Sequence, residues 1–173
     1  MRIDARLLGN GLVVLFRDKR YPILFPKEVW SSVPKQTRVA LKDSLAFATT
    51  MHLPLMFKED SITYGTARPF LEPYFYMNFV KDIPSCTEGD LTDTADVTRR
   101  FYNIDFSFDD NTVVYPDPEP VKDPFRAIVG LSFGKDSLLS YAVADEIGLD
   151  PESVYVVEES MTYEQKHKTA LAR

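Results

Sequence analysis

The sequence predicts an α/β chain in two parts, an α+β region over residues 1–115 and a parallel-sheet unit over 125–173. Three observations predict it. First, the branched apolar run Ala127-Ile-Val-Gly-Leu131 has the character of a buried strand, and after a short turn Leu139, Ala142, Val143 and Ile147 fall on one helix face. Second, Ser153-Val-Tyr-Val-Val157 follows that helix through a short link, and strand–helix–strand with short links implies parallel pairing with a right-handed crossover. Third, Pro116-Asp-Pro-Glu-Pro120, with Pro124 after it, excludes helix and sheet interior, so 116–124 is the expected linker.

Within the first part, Gly9-Asn-Gly11 is a turn signal between strands Ile3–Leu8 and Leu12–Phe16. No helical pattern follows these glycines, so they read as a hairpin turn rather than a phosphate loop. Asp18-Lys-Arg20 offers a second turn before Tyr21–Phe25, where Pro22 suits an edge strand. From Ser32, a candidate cap, the pattern turns helical: Pro34 suits the first turn, and Val39, Leu41, Leu45, Ala48 and Met51 supply apolar positions up to His52. His52 stands next to Leu53-Pro-Leu-Met56, where a helix must end, and reads as a capping or core residue.

Ser61–Tyr64 reads as a short strand broken by Gly65. Pro69–Val80 carries five aromatics in twelve positions. Only Arg68 and Lys81 flank it as cations, so it reads as a buried helix face rather than a base-stacking platform. Ser85–Asp96, with Glu88, Asp90, Asp93 and Asp96, reads as a solvated loop leading into a helix near Thr94–Tyr102, and it lacks the D-x-D-x-D-G calcium loop. Phe106–Phe108 and Thr112–Tyr115 read as strands joined by a turn at Asp109-Asp-Asn111.

Composition narrows the class. The chain of 173 residues is 45% apolar and 27% charged, as in a globular protein. It shows no apolar run of membrane-span length and no signal-peptide core, so no membrane partner is expected. Cys86 is the single cysteine, which excludes a disulfide framework or a C-x-x-C pair and fits a cytoplasmic location. The formal net charge of −6 disfavours nucleic acid as a partner.

Chemistry concentrates in Ser132-Phe-Gly-Lys-Asp-Ser137, a turn opening onto a helix N-terminus. Unpaired N–H groups and the helix dipole there favour a phosphate. Gly148 closes the helix where a left-handed residue is wanted. A Walker loop needs four residues between its glycines and Ser or Thr after the lysine; Gly130 and Gly134 are separated by three, and Asp136 follows Lys135. The dinucleotide pattern G-x-G-x-x-G is also absent.

The segment resembles the PP-loop, S-G-G-x-D-S, of the ATP pyrophosphatase superfamily. Ser132, Gly134, Asp136 and Ser137 match it, Lys135 fills the variable place, and Phe133 stands where that loop has its first glycine. The resemblance implies a HUP-type parallel sheet binding ATP and magnesium. Backbone N–H groups from Phe133 to Ser137 would hold the phosphates, with hydroxyls from Ser132 and Ser137 and a mobile charge from Lys135. Asp136 would cap the helix or assist the metal. Adenine would lie near the end of the second strand, on the rim that Glu158 shares. Lys135 and Asp136 are the expected catalytic residues.

What the resemblance implies about activity is attack by a substrate oxygen on the α-phosphorus, giving an adenylate and pyrophosphate. The wording Leu-Ser-Phe-Gly-Lys-Asp-Ser-Leu-Leu after a sizeable N-terminal region is most similar to the UDP-N-acetylmuramoyl-L-alanyl-L-glutamate epimerase-like branch. That branch implies adenylation and inversion of a terminal glutamate. A tRNA-modifying or amide-forming synthetase, and a non-catalytic nucleotide-binding or interaction module, are the alternatives. Such a domain has about five parallel strands and two fit after Pro124, so a further C-terminal segment or a second chain is expected to complete the sheet. His167, on the final helical stretch, reads as a surface residue.

Overall fold

A computed structural model of the chain describes residues 1–90, 92–117, 123–132 and 134–154. The fold is mixed α/β, in two compact units, Met1–Pro118 and Glu119–Arg173.

The first unit opens with three strands, β1 (Arg2–Leu8), β2 (Gly11–Phe16) and β3 (Lys19–Leu24), joined as an antiparallel meander. Helices α1 (Lys27–Ser32), α2 (Lys35–Ala48) and α3 (Leu53–Phe57) follow, then β4 (Ser61–Pro69), α4 (Glu72–Asp90), α5 (Thr94–Tyr102) and β5 (Asp105–Val114). The sheet order is β3-β2-β1-β4-β5, with β1–β4 and β4–β5 parallel. The meander thus supplies the antiparallel half of the sheet, and helical crossovers supply the parallel half.

Strand alternation sends Ile3 and Ala5, Leu12, Val14 and Phe16, and Ile62 and Tyr64 into one core with Phe47, Ile83 and Phe101 from the helices. Phe47 is fully buried and meets Tyr64, Phe106 and Phe108 at ring-centroid distances of 5.4, 5.6 and 6.1 Å. Of the Pro69–Val80 aromatics, Phe75, Tyr76 and Phe79 on α4 pack against the core, Phe79 and Tyr76 meeting Phe101 at 4.7 and 5.0 Å, whereas Tyr74 is exposed and Phe70 precedes the helix. Thr50 Oγ1 donates to Ala46 O (2.6 Å) and lies 3.1 Å from the Tyr64 hydroxyl. Burial pushes the Tyr64 phenol up from its ordinary range.

Several expectations change. Gly65 does not break β4, which runs through it because β5 pairs with β4 before and after it; a Cβ at this position would lie 1.8 Å from Asp4 Oδ1 and 2.7 Å from Arg2 Nη2. Ser32 does not cap; its hydroxyl bonds back to Val29 O, a separate helix precedes it, and α2 starts after Pro34. α2 ends at Ala48, short of His52. The acidic stretch from Ser85 is helical as far as Asp90, because Ile83 and Thr87 continue the buried face of α4 while Glu88 faces solvent. Asp93 then caps α5, its Oδ1 accepting from the N–H groups of Ala95 (2.8 Å) and Asp96 (3.2 Å).

The hairpin expected at Asp109-Asp-Asn111 is instead part of one continuous β5. Its partner is β4, and the local turn chemistry is absorbed as a register shift at Ala67/Asp110, where Asp110 Oδ1 accepts the Thr112 N–H (2.8 Å). On the sheet face away from the core, Arg2 forms a two-point pair with Asp109 (2.6 and 3.1 Å) and reaches Asp4 (3.2 Å).

The second unit contains β6 (Arg126–Gly130), α6 (Lys135–Glu146) and β7 (Asp150–Val154), with β6 and β7 parallel. The strand–helix–strand order expected of this region is present. Gly148 has φ +82°, the left-handed residue that ends α6, and Leu149 N–H returns to Ala144 O (3.0 Å). β7 starts three residues earlier than Ser153, since Asp150 N–H already bonds Phe125 O (2.6 Å). Residues 155–173, with Glu158 and His167, lie outside the described residues.

Candidate functional site

The expected site is a turn at the carboxyl end of β6. Pairing with β7 carries one residue past the strand, where Leu131 N–H donates to Val154 O (2.7 Å). The chain then turns, and α6 begins at Lys135. Gly134 is the N-cap residue, with extended backbone (φ −81°, ψ 162°) and no side-chain cap.

Two serines hold the turn together. Ser137 Oγ donates to Gly134 O (3.0 Å) and accepts from Ser132 N–H (3.2 Å) and Ser132 Oγ–H (3.2 Å). Ser132 Oγ in turn accepts the Gly134 N–H (3.4 Å). One donor and two acceptor sites exhaust the hydroxyl of Ser137. In this arrangement Ser137 is a brace inside the turn, and no capacity remains for a ligand.

What does remain free is the helix end. Among the described residues, no hydrogen bond is recorded for the backbone N–H groups of Lys135, Asp136 and Ser137. The first turn of an α-helix cannot satisfy these groups internally. Lys135 and Asp136 are exposed, and neither makes a recorded ion pair there. Asp136 stands at the second helical position and accepts no recorded N–H, so the capping role expected of it is not seen; its backbone oxygen accepts the Ser140 hydroxyl (2.8 Å). Phe133 and Glu158 lie outside the described residues. The turn therefore brings together Ser132, Gly134, Lys135, Asp136 and Ser137.

A phosphate could use this end in a simple way. Three outward N–H groups, the positive end of the helix dipole and one flexible ammonium are a suitable anion seat. Among the described residues no group of three or more His, Cys, Asp or Glu could hold a metal ion by itself. Asp136 would hold magnesium only together with phosphate oxygens and water, which is how that ion is usually bound.

Apolar surface lies uncovered around this turn. Ile128 on β6 is 78% exposed, and Leu139 and Ile147 on α6 are 63% and 67% exposed, whereas Val129 and Ala144 face each other's elements and are buried. Surface of this kind is what a parallel strand pair shows when one face lacks cover.

Two cavities in the first unit carried no signal in the sequence. One, of about 360 Å³, lies between the β2–β3 hairpin and helices α2 and α3. The other, of about 370 Å³, is lined by His52, Phe79, Ile83, Cys86 and Arg100 among others. His52 occupies the N-cap position of α3 without a capping bond from its ring, which stacks on Phe79 (6.2 Å). Burial holds its pKa below the ordinary histidine value. Each cavity takes its walls from several elements, so no local spacing could reveal it. Among the described residues no helix is long and apolar enough to cross a membrane. No protein-family model, no curated protein and no solved structure matches the chain.

Proposed function

We propose that the turn from Ser132 to Ser137 holds the phosphates of ATP, and that the protein activates a small-molecule carboxylate or carbonyl by adenylation. The observation that carries this reading is the uncapped N-terminus of α6 at the carboxyl end of a parallel strand, with Lys135 exposed beside it. Ligands of parallel sheets gather at that end. The PP-loop resemblance of the same residues supplies the reaction class.

In the reaction, a substrate oxygen attacks the α-phosphorus and the bond to the bridging oxygen of pyrophosphate breaks. The products are a substrate adenylate and pyrophosphate. The N–H groups of Lys135, Asp136 and Ser137 and the Lys135 ammonium take up the charge that accumulates on the departing pyrophosphate. Asp136 would help to hold magnesium beside the phosphates, where the ion would supply further charge neutralisation. The finer reading is epimerisation of the terminal glutamate of a UDP-N-acetylmuramoyl dipeptide, where adenylation of the carboxylate acidifies the adjacent α-carbon. The uncovered surface at Ile128, Leu139 and Ile147 is where further strands and helices of the sheet would pack.

Product analysis tests this reading. Incubated with ATP, magnesium and the muramoyl dipeptide, the protein is expected to release AMP and pyrophosphate in step with substrate turnover. Release of ADP and phosphate instead would overturn adenylation.

A further inference from the structure

We propose that the cavity between the β2–β3 hairpin and helices α2 and α3 binds a small monoanionic amphiphile, an apolar chain of about ten carbons ending in one carboxylate. The site lies in the first unit and does not depend on the phosphate turn. Its volume is about 360 Å³. At about 30 Å³ for each water-sized group, that accommodates about a dozen heavy atoms.

The interior is apolar, with Val14, Phe16, Ile23, Leu53 and Phe57 in its walls, and no charged residue lines it. The lining hydroxyls of Thr49 and Thr50 are already committed, to Leu45 O (2.7 Å) and Ala46 O (2.6 Å). With those two donors committed and most of the lining apolar, the interior favours a hydrocarbon over a carboxylate. Tyr21 and Met56, 46% and 67% exposed, line it as well and leave it accessible from solvent.

Positive charge stands against the cavity wall. The Arg17 guanidinium lies over the rings of Phe57 (4.5 Å) and Phe16 (5.0 Å), two residues of the wall. Lys19 is opposite Phe16 in the hairpin register and so shares its face of the sheet. Lys58 follows Phe57 directly. No hydrogen bond or ion pair is recorded for these three side chains among the described residues, and the neighbouring acids are Asp18 and Glu59, the latter 3.9 Å from the N-terminal ammonium.

Backbone conformation sets these cations apart. Arg17 (φ +53°) and Lys58 (φ +57°) are the non-glycine residues of positive φ among the described residues. Each immediately follows one of the two wall phenylalanines, whose rings meet at 5.4 Å. Arg17 fills the first position of a two-residue hairpin turn, where glycine would cost least. Lys58 is the left-handed residue that ends α3. A guanidinium over two wall rings, with Lys19 opposite one of these residues in register and Lys58 next to the other in sequence, matches one carboxylate at the end of an apolar chain.

Calorimetric titration with decanoate, decanol and decylammonium, each below its micelle concentration, tests the proposal. Decanoate is expected to bind at one site per chain, about tenfold more tightly than decanol, with decylammonium weakest. Arg17→Gly relaxes the turn and should narrow the advantage of decanoate over decanol without changing decanol. Thr49→Phe, which fills the cavity, should abolish binding of both, with circular dichroism confirming a folded chain. Equal affinity for all three probes overturns the proposal, as does decanoate binding unaffected by Arg17→Gly or by Thr49→Phe. Sedimentation showing a dimer that Thr49→Phe dissociates also overturns it, since a second copy would then be the occupant.

Discussion

The hydroxyl oxygens of Ser132 and Ser137 lie 3.2 Å apart, clasped across the turn that joins β6 to α6. Ser137 reaches both the Ser132 backbone and Gly134 O, so one side chain fixes the direction in which the first N–H groups of α6 point. Ser137→Ala removes this brace while leaving the helix end and Lys135 in place. Stability should fall by about 0.5–1.5 kcal/mol, measured by urea denaturation. ATP affinity should fall less than on removal of Lys135, because water replaces a neutral hydroxyl. A loss of affinity larger than that of Lys135→Ala would mean that Ser137 touches phosphate directly.

Phe47 ties α2 to the parallel strands β4 and β5 through three ring contacts. Phe47→Ala should cost about 3–5 kcal/mol in equilibrium unfolding followed through the first unit's aromatic signal. A cost under about 1 kcal/mol would show that the core collapses around the deletion without loss.

Gly65 faces a different situation, because the atoms nearest its missing Cβ are the ends of the exposed Asp4 and Arg2 side chains. These can swing away. Gly65→Ala is therefore expected to change unfolding free energy by less than about 1 kcal/mol, with the gain in strand stiffness offsetting the disturbed Arg2–Asp4 contact. A larger destabilisation would contradict the view that the Asp4 and Arg2 contact is soft.

Two buried titratable groups give stability opposite slopes with pH. Burial lowers the His52 pKa, so the unfolded chain binds its proton first, and stability is lost as pH falls from about 6.5 toward the depressed value. Asp43 is 1% exposed; burial raises its pKa, although Lys42 Nζ at 2.6 Å opposes the rise and Asp110 adds to it. The folded chain therefore holds the Asp43 proton more tightly, and stability declines as pH rises from 3.8 toward the raised value. His52→Gln should flatten the slope below pH 6.5, and Asp43→Asn should flatten the one above pH 3.8, in thermal melts across pH 4–7. Unchanged slopes in both variants would contradict these assignments.

The parts legible in the sequence were those where a local pattern and a local contact coincide. Gly148 ends α6 because only the adjacent backbone is involved, and the apolar spacing of Phe75, Tyr76 and Phe79 anticipates their burial. Misreadings occurred where a distant partner overrode a local signal. Gly65 remains in a strand because β5 pairs with β4 both before it, up to Tyr64, and after it, from Ala67, and Asp109-Asp-Asn111 does not turn because β4 holds β5 extended. The acidic residues after Ser85 suggested solvent, which is correct for one face of a helix and uninformative about the backbone. At the turn from Ser132 to Ser137, the residues and their strand–turn–helix setting were readable, but the brace formed by Ser132 and Ser137 was not, since it depends on side-chain geometry across five positions.

The most direct measurement is ATP titration by calorimetry, with magnesium, on the 173-residue chain and two variants. Lys135→Ala should leave stability within about 0.5 kcal/mol and weaken ATP about ten- to a hundredfold, the value of a charge-assisted bond to phosphate. Gly134→Val should weaken ATP most, because a branched side chain at the N-cap obstructs approach to the free N–H groups of α6. ATP affinity that is the same in all three proteins, or no saturable ATP binding to the unmodified chain, would contradict the assignment of this turn as the phosphate site.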